Sequence, residues 1–252
     1  MLNSKNSRLF IIGGAADKSY SEFLKLAGGM HAHIVVLGHA SSEPRRAAEA
    51  VKASLLSHGA TNVSVLTPRS TGGIEDDVDG IFMAGGDQTR LVRLLDQQGL
   101  SEHIRDAWRG GVLVGGSSAG AAACAPIMIA GGMSDGLLRR HSLELGNGLC
   151  VLPNVIVDTH FGQRNRHNRL RAAVATLAGT VGVGLDEDTA LVIDGGQARV
   201  VGSGSVYLFT RDHTCQAHEW EGIAGACLIQ RFVAEQSFSI DSKLSPSVQT
   251  AP

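Results

Sequence analysis

The chain reads as an α/β protein built on a mostly parallel sheet, and three observations predict this. Short apolar runs rich in β-branched residues recur at 9–12, 33–37, 62–66, 80–83 and 112–114. Each ends in glycine or at Thr67-Pro68, where a strand would stop and the chain turn. Helical patterns fill the gaps, at 43–56, 88–97 and 102–108. Runs without polar alternation mark strands buried on both faces. Strand–helix alternation marks βαβ units, whose right-handed crossovers place helices on both sides of the sheet.

The second half carries more strands and fewer helices. Residues 154–157 read as a strand and 164–177 as a helix, and 182–185 form another strand-like run. Residues 190–193, 198–201 and 206–209 look like a meander joined by Gly-rich turns. Residues 222–232 read as a further strand. The chain has 252 residues, within the range of one α/β domain with a single core. The expected organisation is a flexible N-terminus at 1–7, one hydrolytic domain at 8–236 and a polar, flexible tail at 237–252.

Composition removes several functional classes. Net charge is −2, which offers no general attraction for nucleic acid or a membrane surface. The four cysteines, Cys124, Cys150, Cys215 and Cys227, show no C-x-x-C spacing, and read as reduced thiols rather than a metal knuckle. No cofactor or metal is expected. The apolar run at 9–12 is too short for a signal peptide core or a membrane span, so a cytoplasmic protein is expected.

One motif carries chemistry. Gly116-Ser117-Ser118-Ala119-Gly120 follows the run at 112–114 and precedes an alanine-rich stretch. This is G-x-S-x-G in strand–turn–helix context, a turn that exposes a nucleophile at strained dihedrals. Residues two before and two after the nucleophile must be small. Only Ser118 has glycine at both distances, since Ser117 has Ala119 after it. A connecting turn without function is the bland alternative. A phosphate loop is excluded, because Ala121-Ala122 stand where Lys and Ser/Thr are required.

A nucleophilic serine needs a base and an orienting acid. Of ten histidines, His160 follows directly on the strand at 154–157, at the kind of strand end where parallel-sheet enzymes place their chemistry. His31 and His33 read as surface residues. Arg164, Arg166, His167, Arg169 and Arg171 follow His160. A solvated helix face explains them on composition alone, whereas beside a base they suit anion binding. Three acids, Asp186, Glu187 and Asp188, are open as the third member. A different chain order, with His213 or His218 as base, is open too.

Five ordered motifs resemble the cyanophycinases, in the serine peptidase group that also contains the aspartyl dipeptidases called peptidase E. They are Ile11-Ile12-Gly13-Gly14-Ala15; Ala84-Gly85-Gly86-Asp87-Gln88; Gly116 through Ala121; Asp158-Thr159-His160-Phe161 with Arg164, Arg166 and Arg169-Leu170; and Gly184 through Ala190. The resemblance implies a flavodoxin-like three-layer sandwich related to class I glutamine amidotransferases. It implies a triad of Ser118, His160 and Glu187, with an oxyanion hole at Gly86 and Ala119. Asp87, Gln88, Asp158, Thr159, Arg164, Arg166 and Arg169 would bind substrate. The implied substrate is cyanophycin, a poly-aspartate backbone with arginine on each β-carboxyl group, or another acidic peptide, and the implied assembly is a homodimer. Thr159 departs from the family pattern, which carries Gln there; its shorter hydroxyl reaches less far. An aspartyl dipeptidase and a non-catalytic amidotransferase-like binding module are the alternative readings.

Overall fold

The apolar runs of the first half become the centre of one sheet: β1 (Arg8–Ile12), β2 (His33–Leu37), β3 (Asn62–Leu66), β4 (Gly80–Met83) and β5 (Leu113–Ser117). The computed structural model describes residues 8–15, 19–132, 143–211 and 227–240. These five strands pair in parallel in the order β1-β5-β4-β2-β3, so their C-terminal ends share one edge. Successive residues of β1 alternate between two cores. Leu9 and Ile11 face one, and Phe10 and Ile12 face the other.

Helices form both outer layers. The helices α1 (Ser19–Ala27) and α2 (Pro44–Ser57) bury Phe23, Leu24, Ala48, Val51 and Leu55 on the Phe10 side. Pro44 opens α2, where its fixed φ suits the first helical position and its missing N–H is not needed. On the Leu9 side, α3 (Gln88–Gln97) and α4 (Leu100–Arg109) bury Leu91, Leu95, Ile104 and Trp108. Asp87 caps α3 by accepting the Arg90 N–H at 2.8 Å. This is the α/β architecture the sequence predicts. Among the described residues no helix is long and apolar enough to cross a membrane.

The second half departs from a single sheet. The strands β10 (Thr189–Asp194) and β11 (Gln197–Gly202) extend the first sheet antiparallel, beside β1. The run expected to complete their meander, β12 (Ser205–Arg211), leaves instead for a second sheet. That sheet runs β13-β12-β9-β8, with β8 (Val155–Thr159), β9 (Val181–Leu185) and β13 (Cys227–Val233). The turn between β11 and β12 is tied sideways: Ser203 N–H donates to Asp188 O at 2.9 Å, and Gly204 N–H to Thr189 Oγ1 at 2.9 Å. Val155, Val183 and Leu208 join the same core as Leu9, so the second sheet covers that face of the first. The helix α6 (His167–Thr176) packs Leu170, Ala173 and Val174 on the other side of the second sheet.

Two further elements carry no expectation from the sequence: α1, and the antiparallel pair β6 (Ile127–Gly132) and β7 (Leu143–Asn147). The first residues of the segment expected to be a tail are ordered. Residues Ser237–Ser239 form an edge strand, β14, on β11, and Phe238 stacks on Phe232 at 4.2 Å between ring centres.

Candidate active site

The site is assembled where two parallel strand pairs end. In the first sheet Ile12 lies opposite Ser117, so the Gly13-Gly14 turn after β1 sits beside Ser118. In the second, Thr159 lies opposite Leu185, so the turns after β8 and β9 carry His160 and Glu187 side by side.

Ser118 occupies the turn from β5 into α5 (Ala119–Ala122) at φ 53° and ψ −109°. A side chain at positive φ is strained and persists only when its surroundings hold it. Here Ser118 N–H donates to Ile12 O at 2.9 Å, and Ser118 O accepts from Ala122 N–H at 3.0 Å. The glycine spacing has a steric cause. A Cβ on Gly116 would lie 2.5 Å from the Gly120 carbonyl carbon, and one on Gly120 would lie 2.3 Å from Met83 O.

His160 Nε2 lies 2.9 Å from Ser118 Oγ, and His160 Nδ1 lies 2.6 Å from Glu187 Oε1. A carboxylate only accepts, so it keeps the proton on Nδ1 and leaves Nε2 to accept from the serine hydroxyl. His160 N–H donates to Gly13 O at 2.8 Å, and the imidazole lies over Gly14, where a Cβ would stand 2.3 Å from Cε1. That contact explains the second glycine of the Gly13-Gly14 pair. Glu187 is steadied by its N–H, which donates to Gln163 Oε1 at 3.1 Å. Nothing in the sequence singles out Gln163.

The three consecutive acids differ sharply in surroundings. Asp186 is buried and accepts from Gly162 N–H at 2.8 Å and Ser205 N–H at 3.1 Å. It ties the turn after His160 to β12. Asp188 accepts from Ser203 Oγ at 2.6 Å. Only Glu187 meets the imidazole. His213 and His218, the alternative bases, lie outside the described residues, as does Cys215. Beneath the serine turn, buried Cys124 donates to Gly120 O at 3.3 Å, and burial pushes its thiol up to about 12, far from a reactive thiolate.

The arginine cluster divides between an inward pair and an outward residue. Arg169 Nε and Nη2 donate to the two carboxylate oxygens of Asp158 at 2.8 and 2.5 Å. Arg166 Nη1 donates to Asp158 Oδ1 at 3.1 Å and to Thr159 O at 2.6 Å. Asp158 and Thr159 are 2% and 5% exposed. Three residues expected to contact substrate, Asp158, Arg166 and Arg169, therefore form a partly buried ion cluster under the His160 turn, and a fourth, Thr159, joins it through its backbone carbonyl. Burial lowers the pKa of Arg166, and Asp158 opposes that shift. Arg164 is the exception: it is exposed and makes no ion pair among the described residues. Asp87 is exposed at the head of α3, and Gln88 Nε2 donates to Ile129 O at 2.5 Å, bracing β6. Ala119 directly follows the serine, and a Cβ on Gly85, the neighbour of Gly86, would lie 3.5 Å from Ser118 Cβ.

His33 lies at the start of β2, at the opposite end of the sheet. It pairs with Asp77 at 3.2 Å and Glu75 at 3.8 Å, and both acids are largely exposed.

Known proteins resemble this chain in sequence and in fold. The family model described as peptidase family S51 matches residues 9–201. A cyanophycinase from Synechococcus elongatus is 39% identical over 210 residues, covering 77% of this chain and 65% of that protein. One from Trichormus variabilis is 37% identical over 233 residues, covering 86% of this chain and 78% of that protein. The match thus spans about two thirds of the length of the Synechococcus relative. Two solved structures share the fold. A peptidase from an acI-B1 Actinobacterium superposes with a TM-score of 0.66 at 20% identity, over 95% of this chain and all of that one. A putative peptidase E protein from Listeria monocytogenes gives 0.56 at 19% identity, over 78% of this chain and 98% of that one.

Proposed function

The chain belongs to peptidase family S51, and from that premise we propose that it is a cyanophycinase. It hydrolyses the poly-aspartate backbone of cyanophycin to β-aspartyl-arginine through an acyl-enzyme. The observation that supports this reading is the relay Ser118–His160–Glu187, at 2.9 and 2.6 Å, with the serine held at φ 53°.

In this mechanism Ser118 Oγ attacks a backbone carbonyl of an aspartyl residue while His160 Nε2 takes its proton. Glu187 keeps the imidazolium oriented and balances its charge. The carbonyl oxygen becomes an oxyanion held by the backbone N–H groups of Gly86 and Ala119. The latter is the first N–H of α5, which no intrahelical carbonyl can reach. His160 then gives its proton to the departing amine. Water, activated by the same nitrogen, cleaves the ester and restores Ser118. Arg164, exposed four residues after His160, is an arginine available to a substrate carboxylate, and Asp87 and Gln88, next to Gly86, would face the substrate. We also carry a cytoplasmic homodimer with this reading; light scattering at twice the chain mass would support the dimer.

The test is incubation of the protein with insoluble cyanophycin and mass spectrometry of the soluble products, beside Ser118→Ala. The expected result is β-aspartyl-arginine from the wild type alone, with the variant slower by about 10⁴–10⁶ in kcat. Release by Ser118→Ala at the wild-type rate would remove the assigned nucleophile. Cleavage of Asp-X dipeptides without polymer would move the protein to the dipeptidase branch.

A further inference from the structure

We propose that a second cleft, at the same edge of the sheet as Ser118, is an anion subsite for carboxylates of the polymer several units from the scissile bond. This rests on the cyanophycinase reading above and extends it to substrate length.

The cleft has a volume of about 640 Å³ and opens between the turns after β2 and β3 and the first turns of α2 and α3. Arg45, Arg69 and Arg90 line it with the hydroxyl residues Ser42, Ser70 and Thr71, and no carboxylate is among the lining residues. Such a concentration of positive charge is notable in a chain of net charge −2. Among the described residues, Arg69 and Arg90 make no ion pair, and Arg45 makes one, to Glu49 at 3.7 Å on the exposed face of α2. Arg90 Nε is buried without a hydrogen-bond partner among the described residues, as are Arg166 Nε and Arg171 Nε away from the cleft. The N-terminus of the 14-residue α2 adds to the field. Its N-cap Glu43 makes no capping bond and pairs with Arg46 instead, at 2.8 Å. The N–H groups of its first turn thus lack a side-chain acceptor, and the helix dipole is positive there.

The walls are held in place. Thr67 N–H donates to Ser70 Oγ at 3.0 Å, and Gln98 Nε2 to Pro68 O at 3.0 Å. The cleft is also joined to the serine site: Asp87 N–H, next to Gly86, donates to Ala40 O at 3.0 Å in the turn after β2.

Position and chemistry then name the ligand. Gly116 of β5 lies level with Met83 of β4, Leu37 of β2 and Leu66 of β3. At about 4.8 Å per strand, the cleft is offset from Ser118 by two to three strands, roughly 10–14 Å. An extended backbone rises about 3.3–3.6 Å per residue, so the offset is about three to four substrate units. In the polymer, arginine is joined through its α-amino group, which leaves on every unit one free α-carboxylate and, several bonds away at the end of a flexible side chain, one guanidinium; the cleft would take the carboxylate and leave the guanidinium to solvent. Guanidinium forks take carboxylates in bidentate fashion. A chain of three units or fewer falls short of the cleft, and a longer one engages both sites.

Steady-state kinetics on three-unit and twelve-unit β-aspartyl-arginine chains test this, with wild type, Arg69→Gln and the double variant Arg45→Glu/Arg69→Glu. Thermal melting checks that each variant folds; Arg69 is exposed, so Arg69→Gln keeps the test open if the double variant does not. The expected result is a KM for the twelve-unit chain raised about tenfold in the double variant and severalfold in Arg69→Gln. The kcat on that chain and all kinetics on the three-unit chain stay unchanged. An unchanged KM on the long chain overturns the subsite and leaves the proposed function standing. Equal losses on both lengths also overturn it, because they mark a general charge effect. A wild type that cleaves neither length removes the proposed function, and the subsite with it.

Discussion

The molecule holds two groups of arginines, and they are opposites in sequence and in space. Arg164, Arg166, Arg169 and Arg171 crowd into eight residues and look like a binding surface. Arg45, Arg69 and Arg90 are scattered over three turns and look like nothing. In the structure the crowded group sends Arg166 and Arg169 inward onto buried Asp158, whereas the scattered group lines an open cleft with no carboxylate in its wall, and among the described residues only Arg45 of the three pairs with an acid, partly exposed Glu49. Density along the chain therefore says little about availability. What decides is whether a carboxylate is already in reach, and Asp158, eight residues before Arg166, was in plain view beside the cluster.

The largest expected effect tests the inward group. Asp158→Ala would leave two guanidinium groups partly buried without their counter-charge, and loss of one partner from a buried ion cluster costs about 3–5 kcal/mol. Urea unfolding reads this as a lower midpoint with an unchanged slope. A loss under about 1 kcal/mol would mean that water already screens the cluster. The next effect sharpens the contrast directly. Arg169→Ala removes two charge-assisted hydrogen bonds and should cost about 2–3 kcal/mol, whereas Arg69→Ala should stay within about 0.5 kcal/mol. Matching values for the two would erase the difference between the groups.

Legibility followed the range of the interactions. The serine turn could be read because its constraint is local: Gly116 and Gly120 must be small to let a single turn close. The five parallel strands could be read because burial on both faces leaves unbroken apolar runs. The division into two sheets could not. The residues of β12 look like those of β10 and β11, and what redirects them is a pair of contacts to Asp188 and Thr189, each 15 residues away. The choice among Asp186, Glu187 and Asp188 was equally hidden. All three are acidic and adjacent, and only the three-dimensional turn sends one toward His160, one into the core and one to Ser203. The motif resemblance named the middle one, which residue chemistry alone left open.

The smallest effect concerns what supports the outward group. His39 is fully buried beneath the turn after β2, and its Nε2 lies 2.8 Å from Gln98 Oε1. Gln98 in turn holds Pro68 O, next to Arg69. Since Gln98 Oε1 accepts, the proton sits on Nε2; Nδ1 is buried without a partner. Protonating Nδ1 would place a charge and an unmet donor in the interior, and burial accordingly lowers the pKa of His39, with the Gln98 bond opposing. A folded-state pKa below the unfolded value means that the unfolded chain binds the extra proton first as pH falls. Stability from this site is thus complete above about pH 6.5, the ordinary histidine value, and declines below it until the folded-state pKa is passed. The slope is at most about 1.4 kcal/mol per pH unit. Urea midpoints from pH 7.5 to 5 should fall in the wild type and flatten in His39→Gln, with Arg169→Ala keeping the wild-type slope. A slope that survives His39→Gln would place the titrating group elsewhere and leave the support of the cleft independent of pH.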